Sequence, residues 1–383
     1  MFKAIDLKHL LIIFVVALVY NFSFFFFTGI PLRHQLNGDA EVHVAHWREF
    51  SVKEKNIFAN DAMFKLDIRP QGELFVDKVL VRIGEFFKID VLNLSVILSF
   101  ISLFIFLSGV YFVAAHSLNN RLMGFLAGLG SVIPAFSLGG SSWGFVASGF
   151  LPRDLALGFA VWLLGLYFYG IRHDSPWSIR IVFLVSGLLA NWYPVLFFHY
   201  VLVIILADVI RLKSIKLEHF FYGLLFGAGA IFAISDVIAK SINFTPINLE
   251  LFRARFSYLL LEPWQYAIFR YLRRFILYVA IVSGLYYIAK KVVLKDEMSP
   301  LKTWYIIWLS AGLLSITGLY LENYTSWARF FLSRTSIWFL FASMAIVAYT
   351  IFLIGKCRAS RYKLMAVTLI SLIFLGQSMI PTS

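Results

Sequence analysis

The chain has 383 residues, 60% of them hydrophobic and only 14% charged, with a net charge of +13 and a mean hydropathy of +0.81. Uncharged runs of membrane-spanning length recur along it, which excludes a soluble multidomain protein and leaves an integral membrane protein. The positive charge reads as cytoplasmic lysine and arginine plus attraction to anionic head groups, not as a nucleic-acid footprint, and the single cysteine, Cys357, excludes an internal disulfide or a thiolate metal site.

The first apolar run, "LLIIFVVALVYNFSFFFF", lacks a small-residue cleavage site and is too long for a signal-peptide core, so it reads as a retained helix. Lys3 and Lys8 put the N-terminus on the cytoplasmic side. Eleven crossings are expected, at about 9–30, 91–115, 122–138, 155–171, 181–192, 194–210, 219–237, 275–289, 303–320, 336–355 and 364–380. The expected fold is all-α integral membrane, a single polytopic domain over 1–383. Extracytoplasmic loops are expected at 31–90 and 239–274, and spans at both ends leave no appended soluble domain.

Directly behind the first run comes "NGDAEVHVAHWREF", residues 37–50. On a helix starting near Asp39, residues 39, 43 and 46 fall within about 60° of one another. Asp39, His43 and His46 would then share a face, with Glu41 and Arg48 nearly opposite. Two histidines and a carboxylate can hold a divalent ion, and a carboxylate with a histidine can serve as base and relay. Asp39 after Gly38 is equally a good helix N-cap. As a non-helical cap it would let Asp39 and Glu41 approach one ion together.

Further along the loop, "ELFVDKVLVRIGEFFK" (73–88) carries Phe75, Val76, Val79, Leu80, Ile83, Phe86 and Phe87 at helical spacing. Glu73, Asp77, Lys78, Arg82, Glu85 and Lys88 fall on the other face, as in a helix lying on the membrane surface.

The arrangement so far resembles the GT-C class of glycosyltransferases: one span, "GDAEVHVAHWREF" opening the first outer loop, an interfacial helix, then many spans. The resemblance covers roughly the first 210 residues. It implies a polytopic enzyme that takes sugar from a polyprenyl-phosphate donor on the outer face and keeps an acidic Asp-x-Asp or variant motif at the mouth of the first helix. Asp39-Ala40-Glu41 matches an Asp-x-Glu form, and His43 matches the polar position that follows in the oligosaccharyltransferase branch. The chain departs from that branch in having Glu41 and Val42 where tyrosine is common. It also lacks the branch's large soluble C-terminal domain and tryptophan-rich acceptor motif.

The second outer segment, "GSSWGFVASGFLPRDLALGF" (140–159), ends in Arg153-Asp154, an ion pair at the membrane boundary. Asp154 resembles the second acidic position that GT-C enzymes often carry there. In "NWYPVLFFHY" (191–200) Pro194 breaks any continuous helix, and Trp192 and Tyr193 could stack on a sugar or clasp an isoprenoid chain. Whether 181–210 crosses once or twice is left open by length. Two short spans place eleven of the later lysines and arginines inside and eight outside, which favours two. Of the arginines left outside, Arg253, Arg255, Arg270, Arg273 and Arg274 fall in the 239–274 loop and Arg329 and Arg334 before the tenth span, and such guanidinium groups suit a lipid phosphate.

These features lead to an expected function: transfer of sugar from a polyprenyl-phosphate donor to a glycan, lipid or protein acceptor, among membrane lipids, without nucleic acid. Asp39 and Glu41 are the expected catalytic and metal-binding pair, with Mg or Mn as the expected cation. His43, His46, Arg153, Asp154, Trp192, Tyr193, Arg253, Arg255, Arg329 and Arg334 are the expected substrate contacts. A transporter or lipid flippase, or a non-catalytic GT-C-like subunit, is the alternative. Charges gathered at span ends rather than mid-span favour surface chemistry.

Overall fold

The computed structural model describes residues 6–27, 44, 47–48, 51, 71–132, 135–136, 142–143, 150–242, 264–292, 298–324 and 332–356. Nearly all of these are helical. In chain order the helices are α1 (Leu7–Phe27), α2 (Gln71–Phe86), α3 (Val91–Leu118), α4 (Arg121–Gly130), α5 (Pro152–Arg172), α6 (Pro176–Ala190), α7 (Pro194–Leu212), α8 (Leu217–Gly229), α9 (Ile231–Ile242), α10 (Trp264–Val292), α11 (Met298–Tyr324) and α12 (Ser336–Lys356). A two-residue antiparallel pairing joins β1 (Ala135–Phe136) to β2 (Ser142–Trp143), and a 3-10 turn at Leu332–Thr335 leads into α12.

Five segments are long and apolar enough to cross a membrane: Val91–Leu118, Pro152–Arg172, Pro194–Leu212, Leu272–Lys291 and Ser336–Gly355. Leu7–Ser23, Arg121–Gly130 and Pro176–Ala190 are shorter apolar helices. The chain is therefore membrane-embedded and helical. By length and apolarity, the described residues do not reach eleven spans.

Helix starts follow from local chemistry. The carboxylate of Asp90 accepts the backbone N–H groups of Leu92 (2.9 Å) and Asn93 (3.1 Å) and so caps α3. Asn120 does the same for α4 through Met123 N–H, at 3.1 Å. Helices α5, α6 and α7 each begin on a proline, whose fixed φ suits the first helical position.

The chain divides into two compact units: residues 1–132, 145–198 and 220–242 form one, and 133–144, 199–219 and 243–383 form the other. In the first unit α1 and α4 each run antiparallel to α3, and α5 runs parallel to it. Asn21 near the end of α1 donates to Val96 O (3.2 Å) and accepts from Ser99 Oγ (3.0 Å), while Asp6 N–H at its start reaches Tyr111 Oη (2.8 Å). Helix–helix contact in a bilayer gains little from apolar transfer and depends on close approach at small residues. Gly109 and Gly158 provide it between α3 and α5, and Gly124 and Gly128 between α3 and α4.

Three expectations change. The span expected at 122–138 is a helix of ten residues, about 15 Å long against a hydrocarbon core of about 30 Å. By Phe150, whose N–H donates to Ser95 Oγ at 3.1 Å, the chain has nonetheless returned to the end where α3 begins. The span expected at 219–237 is interrupted at Ala230 into α8 and α9. Helix α10 begins at Trp264, within the loop expected over 239–274, so Arg270, Arg273 and Arg274 lie on a helix.

The expected break before Pro194 is present. Helix α6 contacts α8 in the order Arg180 to Phe221, Phe183 to Tyr222 and Gly187 to Phe226, so the two run parallel.

In the second unit α11 and α12 are antiparallel, joined by Trp308 Nε1–H to Ser343 Oγ (2.9 Å) and Thr335 Oγ1–H to Ala311 O (3.4 Å). The ring of Phe339 stacks on Phe275 of α10 and on Trp308, with centroids 4.9 and 5.2 Å away.

Candidate functional site

The candidate site is built where the segment between α1 and α2 meets the start of α5. Pro152 opens that helix, Asp154 lies in its first turn, and Leu151 before it is extended and gives no side-chain cap. A carboxylate in a first turn is favoured by the helix dipole. Asp154 is buried, and Arg153 Nε stands 3.4 Å from its Oδ1.

The described part of the loop behind the acidic motif packs beside this pair. Val44 is buried against Leu151, with Val91 and Leu92 of α3 covering both. Trp47, fully buried, meets the ring of Phe150 at 5.4 Å, a pairing of about 0.5–1.5 kcal/mol beyond area burial. Ser51 N–H bonds Trp47 O at 3.0 Å in helical fashion, and Ser51 Oγ–H reaches Glu85 Oε1 of α2 at 3.2 Å. Val44, Trp47 and Ser51 thus lie between α2 and the start of α5. The Phe150 N–H bond to Ser95, beside the Asn21–Ser99 pair, fixes that start against α3.

Asp39, Glu41, His43, His46, Arg253, Arg255 and Arg329 lie outside the described residues. Arg153 and Asp154 come together as expected. Trp192 and Tyr193 form the α6–α7 break, both backbone N–H groups donating to Leu189 O at 3.0 Å. Trp192 is buried and Tyr193 half-buried. Arg334, half-buried, occupies the 3-10 turn before α12, in the second unit. Among the described residues no three metal-ligating side chains come together. Asp154, a single carboxylate already beside Arg153, does not complete a cation site with them.

Sequence reasoning missed three polar arrangements. Asp77, expected on the solvent face of α2, is fully buried, as are Val81 and Gly84 on the same side. The apolar face, expected to lie on the membrane, is exposed on the protein, with Phe75 at 67% and Phe86 at 80%. Val81 and Gly84, which interrupt the polar arc, were the available signal. An ionised carboxylate placed there costs several kcal/mol unless the surroundings compensate it, so Asp77 joins Asp154 as a buried acid of the first unit.

The second is the reach of Asn191, a residue already notable at the broken span, to the α8–α9 break. Its Oδ1 accepts Ala233 N–H at 2.9 Å and its Nδ2–H donates to Gly229 O at 2.7 Å. In an unbroken helix those two backbone groups would bond each other. The carboxamide is therefore inserted into the ladder between α8 and α9, a recognised cause of helix kinks.

The third lies in the second unit. Asp208 Oδ1 accepts from Arg211 Nη2 (2.6 Å) and Nε (3.0 Å), and His219 Nε2 stands 3.3 Å from Oδ2. Lys216 N–H donates to His219 Nδ1 at 2.9 Å, which leaves Nε2 to carry the ring proton facing the carboxylate. This cluster closes the α7–α8 turn.

Comparison with known proteins returns no matching family model, no similar curated protein and no similar solved structure.

Proposed function

We propose that the chain is a GT-C-type glycosyltransferase. It would move a sugar from a polyprenyl-phosphate donor to an acceptor on the extracytoplasmic face of the cell (inner) membrane, in an eleven-crossing arrangement with a cytoplasmic N-terminus. The observation that carries this reading is the seating of Val44 and Trp47 on Leu151 and Phe150, next to Arg153 and Asp154. A chain extends at most about 3.6 Å per residue, so Glu41 can be no more than about 11 Å, and Asp39 no more than about 18 Å, from Val44. That reach is short enough for the first-loop acids and the α5 pair to serve one substrate.

In the transfer, the acceptor hydroxyl oxygen attacks the anomeric carbon while the bond from that carbon to the phosphate oxygen breaks. Asp39 takes the hydroxyl proton as general base. Polyprenyl phosphate leaves, and guanidinium groups meet its charge. Arg153 is the local candidate; Arg253, Arg255, Arg329 and Arg334 are the others. Asp154 holds Arg153 in place, Trp192 and Tyr193 offer stacking surfaces, and His43 and His46 contact the sugar. A Mg2+ or Mn2+ ion on Asp39 and Glu41 would add charge compensation at the phosphate.

The test uses membranes containing the chain, supplied with radiolabelled polyprenyl-phosphate sugars. Label should move from the lipid fraction to acceptor, and Asp39→Asn should abolish that movement at unchanged protein yield. Full transfer by Asp39→Asn would remove the base from the mechanism.

A second reading, a transporter or lipid flippase, is favoured by one observation: Asn191, beside the α6–α7 break, is inserted at the α8–α9 break. Discontinuous helices of this kind line transport pathways. A transporter would carry labelled lipid across sealed vesicles with its sugar–phosphate bond intact. A non-catalytic subunit would leave both readouts at background.

A further inference from the structure

The outward face of α2 combines grease and positive charge in one groove. At about 100° per residue, Phe75, Val79, Ile83 and Phe86 occupy an arc of about 80°. Lys78 and Arg82 border one edge of that arc, and the buried Asp77, Val81 and Gly84 lie opposite. Lys78, Val79, Arg82, Ile83, Phe86 and Phe87 line a single groove of about 330 Å³. The apolar members are well exposed: Ile83 is 46%, Phe86 80% and Phe87 64% accessible. Arg82 pairs with Glu85 at 2.7 Å yet keeps 56% of its side chain exposed, and Glu85 is itself fastened to Ser51.

Position fixes the depth of this groove. Only Phe87, Lys88, Ile89 and Asp90 separate α2 from α3, a candidate span. Ile89 N–H closes the turn on Gly84 O at 2.8 Å, and Lys88 adopts φ 58°. The C-terminal end of α2 is thereby held at the mouth of a span, where acyl chains give way to phosphates.

We propose that this face of α2 is a docking surface for anionic phospholipid of the surrounding bilayer: acyl chains lie against Phe75, Val79, Ile83 and Phe86, and the phosphate is met by Lys78 and Arg82. The attraction of a basic side chain to a phosphate-bearing surface corresponds to about a five-fold local enrichment of anionic over zwitterionic lipid. The inference needs only a membrane-embedded chain and stands apart from the glycosyltransferase reading.

The experiment reconstitutes the full-length chain, carrying Cys357→Ser and Phe86→Cys with bimane attached at position 86, in phosphatidylcholine vesicles containing phosphatidylglycerol. Doxyl-labelled phosphatidylglycerol or doxyl-labelled phosphatidylcholine is added at equal mole fraction. The expected result is quenching by both lipids, about five-fold more effective for phosphatidylglycerol. Lys78→Gln with Arg82→Gln should equalise the two lipids while quenching persists. Absence of quenching, equal quenching in the unsubstituted helix, or a preference that survives the double substitution would each overturn the proposal. Displacement of the doxyl-phosphatidylglycerol signal by a trace of polyprenyl phosphate would also overturn it, by assigning the groove to the donor lipid instead.

Discussion

Two helix crossings in the first unit use glycine in opposite ways. Where α3 meets α5, a Cβ on Gly165 would meet the ring of Phe112, at 2.2 Å from Cδ1. Where α6 meets α8, a Cβ on Gly187 would lie 2.3 Å from the backbone oxygen of Phe226 and 3.0 Å from Ala230 N. The first contact is backbone against side chain, and a ring can turn. The second is backbone against backbone and has no soft degree of freedom. Each crossing also has one polar side chain that catches a backbone amide: Ser95 takes Phe150 N–H, and Asn191 takes Ala233 N–H. The comparison teaches that tolerance to change is set by what lies opposite, not by the residue type itself.

The largest effect is expected from Gly187→Ala. One methyl group must push two helices apart, because its nearest neighbour is a carbonyl oxygen. Overpacking of this kind costs about 3 kcal/mol. Thermal unfolding in detergent should show a large loss of stability or no folded protein. A melting curve unchanged from that of the parent would mean that α6 and α8 do not approach this closely.

Asn191→Ala comes next, at about 2 kcal/mol, since two backbone groups lose their partner together. The helix has one escape: Ala233 N–H and Gly229 O could bond each other if α8 and α9 straightened. Amide exchange at Ala233 separates the outcomes. Fast exchange reports orphaned groups, and slow exchange with a small stability loss reports a healed ladder. No change in either would show that the carboxamide is not inserted.

These two sites also mark the limit of what the sequence discloses. Long apolar runs bounded by caps and prolines made α3, α5, α7 and α12 readable, and Pro194 announced the α6–α7 break. Nothing within "GLLFGAGAIFAISD" announces the interruption at Ala230, because its cause is Asn191, 39 positions upstream. Periodicity divided α2 correctly into two arcs but could not say which one meets protein. An apolar arc turned to lipid leaves the polar arc to meet either water or protein, and Asp77 was misplaced because the local pattern does not say which. At the candidate site, Arg153-Asp154 was visible as adjacent opposite charges. The seating of Val44 and Trp47 beside it was not, since a tertiary contact leaves no local pattern.

Gly165→Ala tests the other half of the comparison. The new methyl group meets the ring of Phe112, which is fully buried and stacked on Trp162 at 4.7 Å. The ring can tilt but cannot leave, so a loss of about 1.5 kcal/mol is expected, below that of Gly187→Ala. Combining Gly165→Ala with Phe112→Leu should recover part of the loss. An equal or greater loss than at Gly187 would erase the distinction between ring and backbone contacts.

The smallest effect belongs to Ser95→Ala, and it links packing to the candidate site. The substitution removes a hydroxyl that accepts Phe150 N–H and leaves the rest of the contact intact. Phe150 is 1% exposed, so water reaches the amide only if the segment lifts, and the expected cost is about 1 kcal/mol. Lifting Phe150 would disturb its ring contact with Trp47 and, three residues on, the position of Arg153. If the α5 start serves a phosphorylated lipid, donor concentration dependence should weaken about two- to three-fold while the maximal rate holds, because about 0.5 kcal/mol of positioning is lost before chemistry begins. Ser95→Thr, which keeps the hydroxyl, should restore the donor dependence. A loss of stability without any change in donor dependence would show that Ser95 merely holds two helices together and that the α5 start does not contact the donor.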